Sequence, residues 1–302
     1  MAATTPALGA DLVIAMPNWP SGQAAANILK VAVAKEFGLE AEVQERGTLN
    51  AFVGLEDGSV DINPEVWRPN LDDLIRRYVD EKGAVVLTGR GTAAWQGLCA
   101  TEAAAKLGIK DIADLSDTTK TAALDTDGDG RGEVWIGAPT WVSTGIERVR
   151  ANSYGYAENV SLVEAEEDVA MAAVDAAVAT DRPMVFYCYT PHHVFELHEI
   201  TRLTEPAYDA AKWKIAPADD PLWVSKSSAP VAWGPAEFYI AYSTGFAQKR
   251  PAVAKFLEQV DFSTEEVTQM TYALQVERKA PLAYAEEWVK NHEARVDGWA
   301  SQ

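Results

Sequence analysis

Four short apolar segments of this chain each run into an aromatic residue, with prolines around the junctions. Leu12–Ala15 leads to Trp19 through Met16-Pro17-Asn18, and Val60–Asn63 leads to Trp67 through Pro64-Glu65-Val66. Val134–Gly137 leads to Trp141 through Ala138-Pro139-Thr140, and Met184–Phe186 leads to Tyr187 and Tyr189 just before Pro191. Short runs of this kind are strand signals, and the sequence between them carries helical periodicity. Ser21 is placed to cap a helix through Ala24, Ile28, Leu29, Val31 and Phe37. Further helices are expected from Leu49 to near Gly58, from about Val142 to Ser153 and from Asp168 to Ala179. Strands alternating with helices predict βαβ units, a largely parallel sheet and an α/β class. Near the end, Pro251–Val260 and Ser263–Leu274 are amphipathic, and Pro281–Trp299 is expected to be one helix with Tyr284, Trp288 and Val289 on a shared face.

The carboxyl ends of strands in an open α/β sheet are where connections diverge and ligands bind. Pro17, Pro20, Pro64, Pro69, Pro139 and Pro191 fix φ beside the aromatics and hold each ring on a stiff loop. Any one of the 10 tryptophans, taken alone, is an ordinary core residue; four strand-end aromatics on stiffened loops point instead to a cleft. In strand periodicity Tyr187 and Tyr189 face one way and Cys188 the other. Converging ring faces suit a methylated ammonium group, whose diffuse charge sheds water easily, at ~0.5–2 kcal/mol per contact. The formal net charge of −19 attracts a cation and disfavours nucleic acid and anionic membrane surfaces as partners.

The segments Met16-Pro-Asn-Trp-Pro-Ser21, Leu55-Glu-Asp-Gly-Ser-Val-Asp-Ile-Asn-Pro-Glu-Val-Trp67, Gly137-Ala-Pro-Thr-Trp141, Tyr187-Cys-Tyr-Thr-Pro191 and Trp288-Val-Lys-Asn…Val296-Asp-Gly-Trp299 carry a resemblance over nearly the whole chain. The sequence resembles the substrate-binding proteins of ABC importers for glycine betaine, choline and proline betaine, and more closely the trimethylamine N-oxide-binding proteins of marine bacteria. The resemblance implies a two-lobed periplasmic binding protein, type II-like, each lobe a mixed, mainly parallel sheet flanked by helices. One lobe would comprise residues 8–95 plus 232–302 and the other 96–231, with the ligand cleft between them. It further implies a monomer in the periplasm that closes on its ligand and delivers it to a membrane permease subunit. Trp67, Trp141 and Tyr189 match the cage positions; Tyr189 departs from the tryptophan that many relatives carry, and Trp19 is expected to supply a further wall.

A betaine carboxylate needs donors, for which Arg68, His192 and His193 are candidates. Trimethylamine N-oxide needs only one donor for its oxygen, and the nearer resemblance favours it. Alternation along the strand sends Arg68 away from Trp67, toward a surface ion pair. Glu133 and Glu237 are candidate carboxylates for a cationic group.

The loop Asp125-Thr-Asp-Gly-Asp-Gly-Arg-Gly-Glu133 has the spacing of a calcium loop: Asp125, Asp127 and Asp129 at positions one, three and five, the Arg131 carbonyl at seven and Glu133 at nine. Ile136 occupies position twelve and no helix follows, so the loop departs from the EF-hand, and a structural calcium ion is expected. If Glu133 ligates the ion, it is unavailable to the organic ligand. The two cysteines, Cys99 and Cys188, are expected to be free buried thiols, with a single bridge as the alternative. Adjacent His192 and His193 point in different directions and make no metal pair; His198 and His292 are scattered. The sequence lacks a Gly-x-Gly-x-x-Gly, a Walker loop, a His-Glu-x-x-His and a Gly-x-Ser-x-Gly. No catalytic cofactor is expected, and a lyase or demethylase acting on an onium compound, which would show turnover, is the rival reading. No segment approaches the ~20 apolar residues of a membrane span, and Met1–Thr5 lacks the pattern of a signal segment.

Overall fold

The computed structural model describes residues 10–217 and 220–301. Met1–Thr5 and the outermost expected lobe residues, 8, 9 and 302, lie outside this range. Among the described residues nine strands appear in chain order: β1 (Leu12–Met16), β2 (Ala41–Glu45), β3 (Ile62–Arg68), β4 (Val85–Thr101), β5 (Gly132–Trp135), β6 (Val160–Val163), β7 (Val185–Thr190), β8 (Ile200–Arg202) and β9 (Ala236–Ser243). They are ordered β2-β1-β3-β9-β4-β7-β5-β6, with β8 alongside β4. The pairings β1–β2, β1–β3, β5–β6 and β5–β7 are parallel, as βαβ units require. Those of β9 with β3 and β4, and of β4 with β7 and β8, are antiparallel. Helices flank both groups of strands, and the α/β expectation holds.

The long strand β4 ties the two halves. Val85–Ala94 pairs with β9, and Trp95–Ala100 with β7. Gly89-Arg-Gly91 falls in the middle of this strand, and a register shift between Leu87 and Gly91 absorbs it.

The structure corrects three expectations. The first helix is Pro20–Phe37: Trp19 occupies the capping position, Pro20 is the first helical residue, where its fixed φ fits, and Ser21 turns its hydroxyl inward. The final helix is two, Pro281–Asn291 and Glu293–Ala300. His292 stacks on Trp288 at 4.1 Å, and the break returns Trp299 to lie nearly parallel to Trp288, 5.9 Å away.

Cys99 and Cys188 are bridged, with Cα atoms 5.8 Å apart. Gly97 pairs with Cys188 and Cys99 with Phe186, so the bridge runs diagonally across the β4–β7 ladder. That pairing joins residues 89 apart in sequence and leaves no local sequence signal. None of the helices described is long and apolar enough to cross a membrane.

Candidate functional site

A cleft holding about 440 Å3 of space, part of it open to solvent, is lined by Trp19, Thr48, Trp67, Asn70, Leu71, Trp141, Val142, Ser143, Tyr187 and Tyr189. Trp67 and the two tyrosines lie within β3 and β7 rather than beyond their ends, and Trp19 and Trp141 each immediately precede a helix. Pro64 falls where β3 shifts register against β9, a place where a strand tolerates proline. Tyr187 and Tyr189 do face the same side, with Cys188 turned to its bridge.

The rings meet edge to face: Trp67 to Tyr189 at 5.5 Å, Trp141 to Tyr189 and to Tyr187 at 6.2 Å, and Trp19 to Trp141 at 6.2 Å. Trp67 also stacks on Phe238 at 4.8 Å, which plants its back in the core. Close approach of backbone makes this packing possible at two glycines. A Cβ on Gly22 would fall 2.3 Å from Pro17 and 2.9 Å from the Trp19 indole nitrogen; Gly137, at φ +126°, would bring one 2.3 Å from Thr144.

Glu65 is a buried acid that sequence reasoning missed, as it missed the lining residues Thr48, Asn70 and Ser143. It is fully buried on β3, and its Oε2 accepts hydrogen bonds from Trp19 Nε1 (2.5 Å), Trp67 Nε1 (3.0 Å) and Ser21 Oγ (3.2 Å). Burial pushes its carboxyl up to about 7, against these three donors, and nearby Glu167 adds to the rise. Its position two residues before Trp67 was the available signal, since strand residues two apart share a face.

Polar pairs cross the cleft. Trp141 Nε1 donates to Asn18 Oδ1 at 2.9 Å, while Asn18 Nδ2 donates to Glu166 (2.7 Å) and Thr140 (3.2 Å). Asn70 and Gln96 exchange two amide hydrogen bonds, and Tyr187 donates to the same Gln96 oxygen at 2.6 Å.

The expected carboxylate donors are engaged elsewhere. Arg68 is exposed and paired with Asp72 at 2.6 Å, as alternation indicated. His192 is buried against Glu167 at 3.1 Å and is not among the residues lining the cleft. His193 is buried too, and burial lowers its imidazole to about 3, so it stays neutral. Glu237 accepts from Tyr239 on the surface. Glu133 lies in the acidic loop, where Oε2 accepts from the Thr126 N–H and hydroxyl at 2.7 Å, and it does not line the cleft.

In that loop one oxygen each of Asp125, Asp127, Asp129 and Glu133 lies within 4.8 Å of the others. Glu133 Oε1 is buried without a partner among the described residues. Arg131 ties the loop down by donating to the Ala157 (3.0 Å) and Val160 (2.6 Å) carbonyls.

Residues 10–291 match the OpuAC family, the substrate-binding domain of ABC-type glycine betaine transport systems. The chain belongs to this family. It is thus a substrate-binding protein of ABC transport and not an enzyme. Similarity to the glycine betaine/proline betaine-binding periplasmic protein of Escherichia coli (strain K12) is 21% identity over 260 residues, covering 83% of this chain and 77% of that protein. In structure it is similar to an ABC-transporter choline-binding protein in complex with choline, at TM-score 0.73 and 20% identity, over 96% of this chain and 91% of the other. It is similar as well to lactococcal OpuAC in its closed form with glycine betaine, at TM-score 0.71 and 19% identity, over 96% and 99% of the two chains. These likenesses show the two-lobed fold expected of the sequence.

Proposed function

We propose that this protein captures a small methylated amine, trimethylamine N-oxide foremost, between the rings of Trp19, Trp67, Trp141, Tyr187 and Tyr189. The observation that carries the reading is that these five aromatic residues, from distant parts of the chain, line one cleft. Closure would bring residues 10–95 with 232–301 against 96–231, and a monomer would hand the ligand to a permease subunit of an ABC importer at the outer face of the membrane, in the periplasm.

Thr48, Asn70 and Ser143 are the polar side chains of the lining, and no Lys, Arg or His of the described residues joins them. Such a lining suits one small oxygen better than a full carboxylate, which calls for charged donors. Glycine betaine, choline or proline betaine is the second reading, favoured by the ligands named for the similar proteins. Calorimetric titration with trimethylamine N-oxide, glycine betaine and choline separates the two. Micromolar binding of the N-oxide, about 8 kcal/mol, is expected, with the ligand recovered unchanged. Preference for a betaine or choline overturns the N-oxide assignment, and no binding at millimolar concentration overturns the cage.

We propose in addition that Asp125, Asp127, Asp129, the Arg131 carbonyl and Glu133 hold a structural calcium ion. The convergence of four carboxylates with one buried, unpartnered oxygen supports this, since calcium would supply the missing partner. Calcium at a hundred times its dissociation constant should stabilise the chelator-treated protein by about 2.7 kcal/mol, read as a rise in melting temperature. Identical melting with and without calcium would exclude the site.

A further inference from the structure

Two buried carboxylates stand behind the aromatic walls, each tied to ring tips of the cage. Glu65 receives both indole N–H groups of Trp19 and Trp67. Glu167, the first residue of the helix Glu167–Ala179 and 2% exposed, receives the Tyr189 hydroxyl at 2.6 Å on Oε1. The same oxygen meets His192 Nε2; the Nδ1 of that ring accepts the Val194 N–H at 3.2 Å, which leaves the proton on Nε2 as a donor to Glu167. Glu167 Oε2 is buried with no partner among the described residues.

The hydrogen-bond donors on Glu65 are two indoles and one hydroxyl, so its ionised form has no cation among these partners. A buried anion in that situation is stabilised by a positive charge that arrives between the rings. Hydrogen bonds from the indole N–H and phenol O–H to an anion also raise electron density on the ring faces, the surfaces a cation would touch. A cage selecting only for methylated shape has no need of such acids. The hydrogen bonds they accept offset only part of the cost of burying them.

We propose that Glu65 and Glu167 are positioning residues that make the cage select positive charge and not merely methylated shape; this rests on the methylated-amine reading above. The test compares charged ligands with neutral carbon twins: choline with 3,3-dimethyl-1-butanol, and trimethylamine N-oxide with tert-butanol. The wild-type protein should prefer the charged or dipolar member by roughly a hundredfold, as a few desolvated cation–π contacts allow. Glu65→Gln and Glu167→Gln keep size and a hydrogen-bond acceptor, and each should cut that preference by about tenfold, mostly by weakening the charged member. A purely structural role would weaken both members equally and leave the ratio unchanged, which overturns the inference. Two variants and near-UV circular dichroism keep the test informative should one of them misfold. A wild-type protein that binds none of the four ligands overturns the methylated-amine reading itself, a result distinct from wild-type preference retained in both variants.

Discussion

A Trp141→Ala protein is expected to bind its methylated amine about 30- to 100-fold more weakly while melting close to the wild type, the equivalent of ~2–3 kcal/mol of binding energy. Trp141 is only half-buried and touches Trp19, Tyr187 and Tyr189, so its removal takes a ring face from the ligand and leaves little cavity in the core. The same change at Trp67 is a poorer test. Trp67 is buried against Phe238, and truncating a core aromatic costs about 3–5 kcal/mol of fold stability in its own right. Calorimetry beside thermal melting separates the two effects at Trp141. A dissociation constant within a factor of about three of wild type, below one kcal/mol, would remove this ring from the cage.

Removing the Cys99–Cys188 bridge should be the most damaging change to stability. The bridge closes a loop of 89 residues, for which loop-closure entropy gives about 4–5 kcal/mol. For a chain of this size that corresponds to a fall in melting temperature of roughly 6–8 °C. A Cys99→Ala/Cys188→Ala double variant, compared with the oxidised wild type, measures it. Melting within about 2 °C of wild type would show that the β4–β7 ladder holds without the cross-link. The bridge lies on the opposite side of β7 from Tyr187 and Tyr189, so it fastens the strand that presents them without touching the ligand.

The legible part of this molecule was whatever depends on local pattern. Alternation along β7 put Tyr187 and Tyr189 together, alternation beyond Trp67 sent Arg68 outward, and repeated strand–helix units gave the α/β class. The partners of Glu65 and Glu167 were invisible because they lie 22 to 46 residues away for Trp19 and Tyr189, and because composition argues against placing acids in a core. The disulfide escaped for a related reason, since a diagonal contact between antiparallel strands depends on register. Continuity of β4 through two glycines was decided by a tertiary contact, its pairing with β9, whereas the break at His292 goes with a local one, the stacking of its ring on Trp288 four residues earlier.

The bond between Trp141 and Asn18 has a practical consequence. One indole lines the cavity while its N–H reaches a side chain 123 residues away in sequence. With a guest bound as proposed, the ring would be held on both sides, by the guest and by Asn18, and would work as a coincidence detector. The protein's tryptophan fluorescence should therefore track occupancy, which would make it, without any label, an optical gauge for its guest.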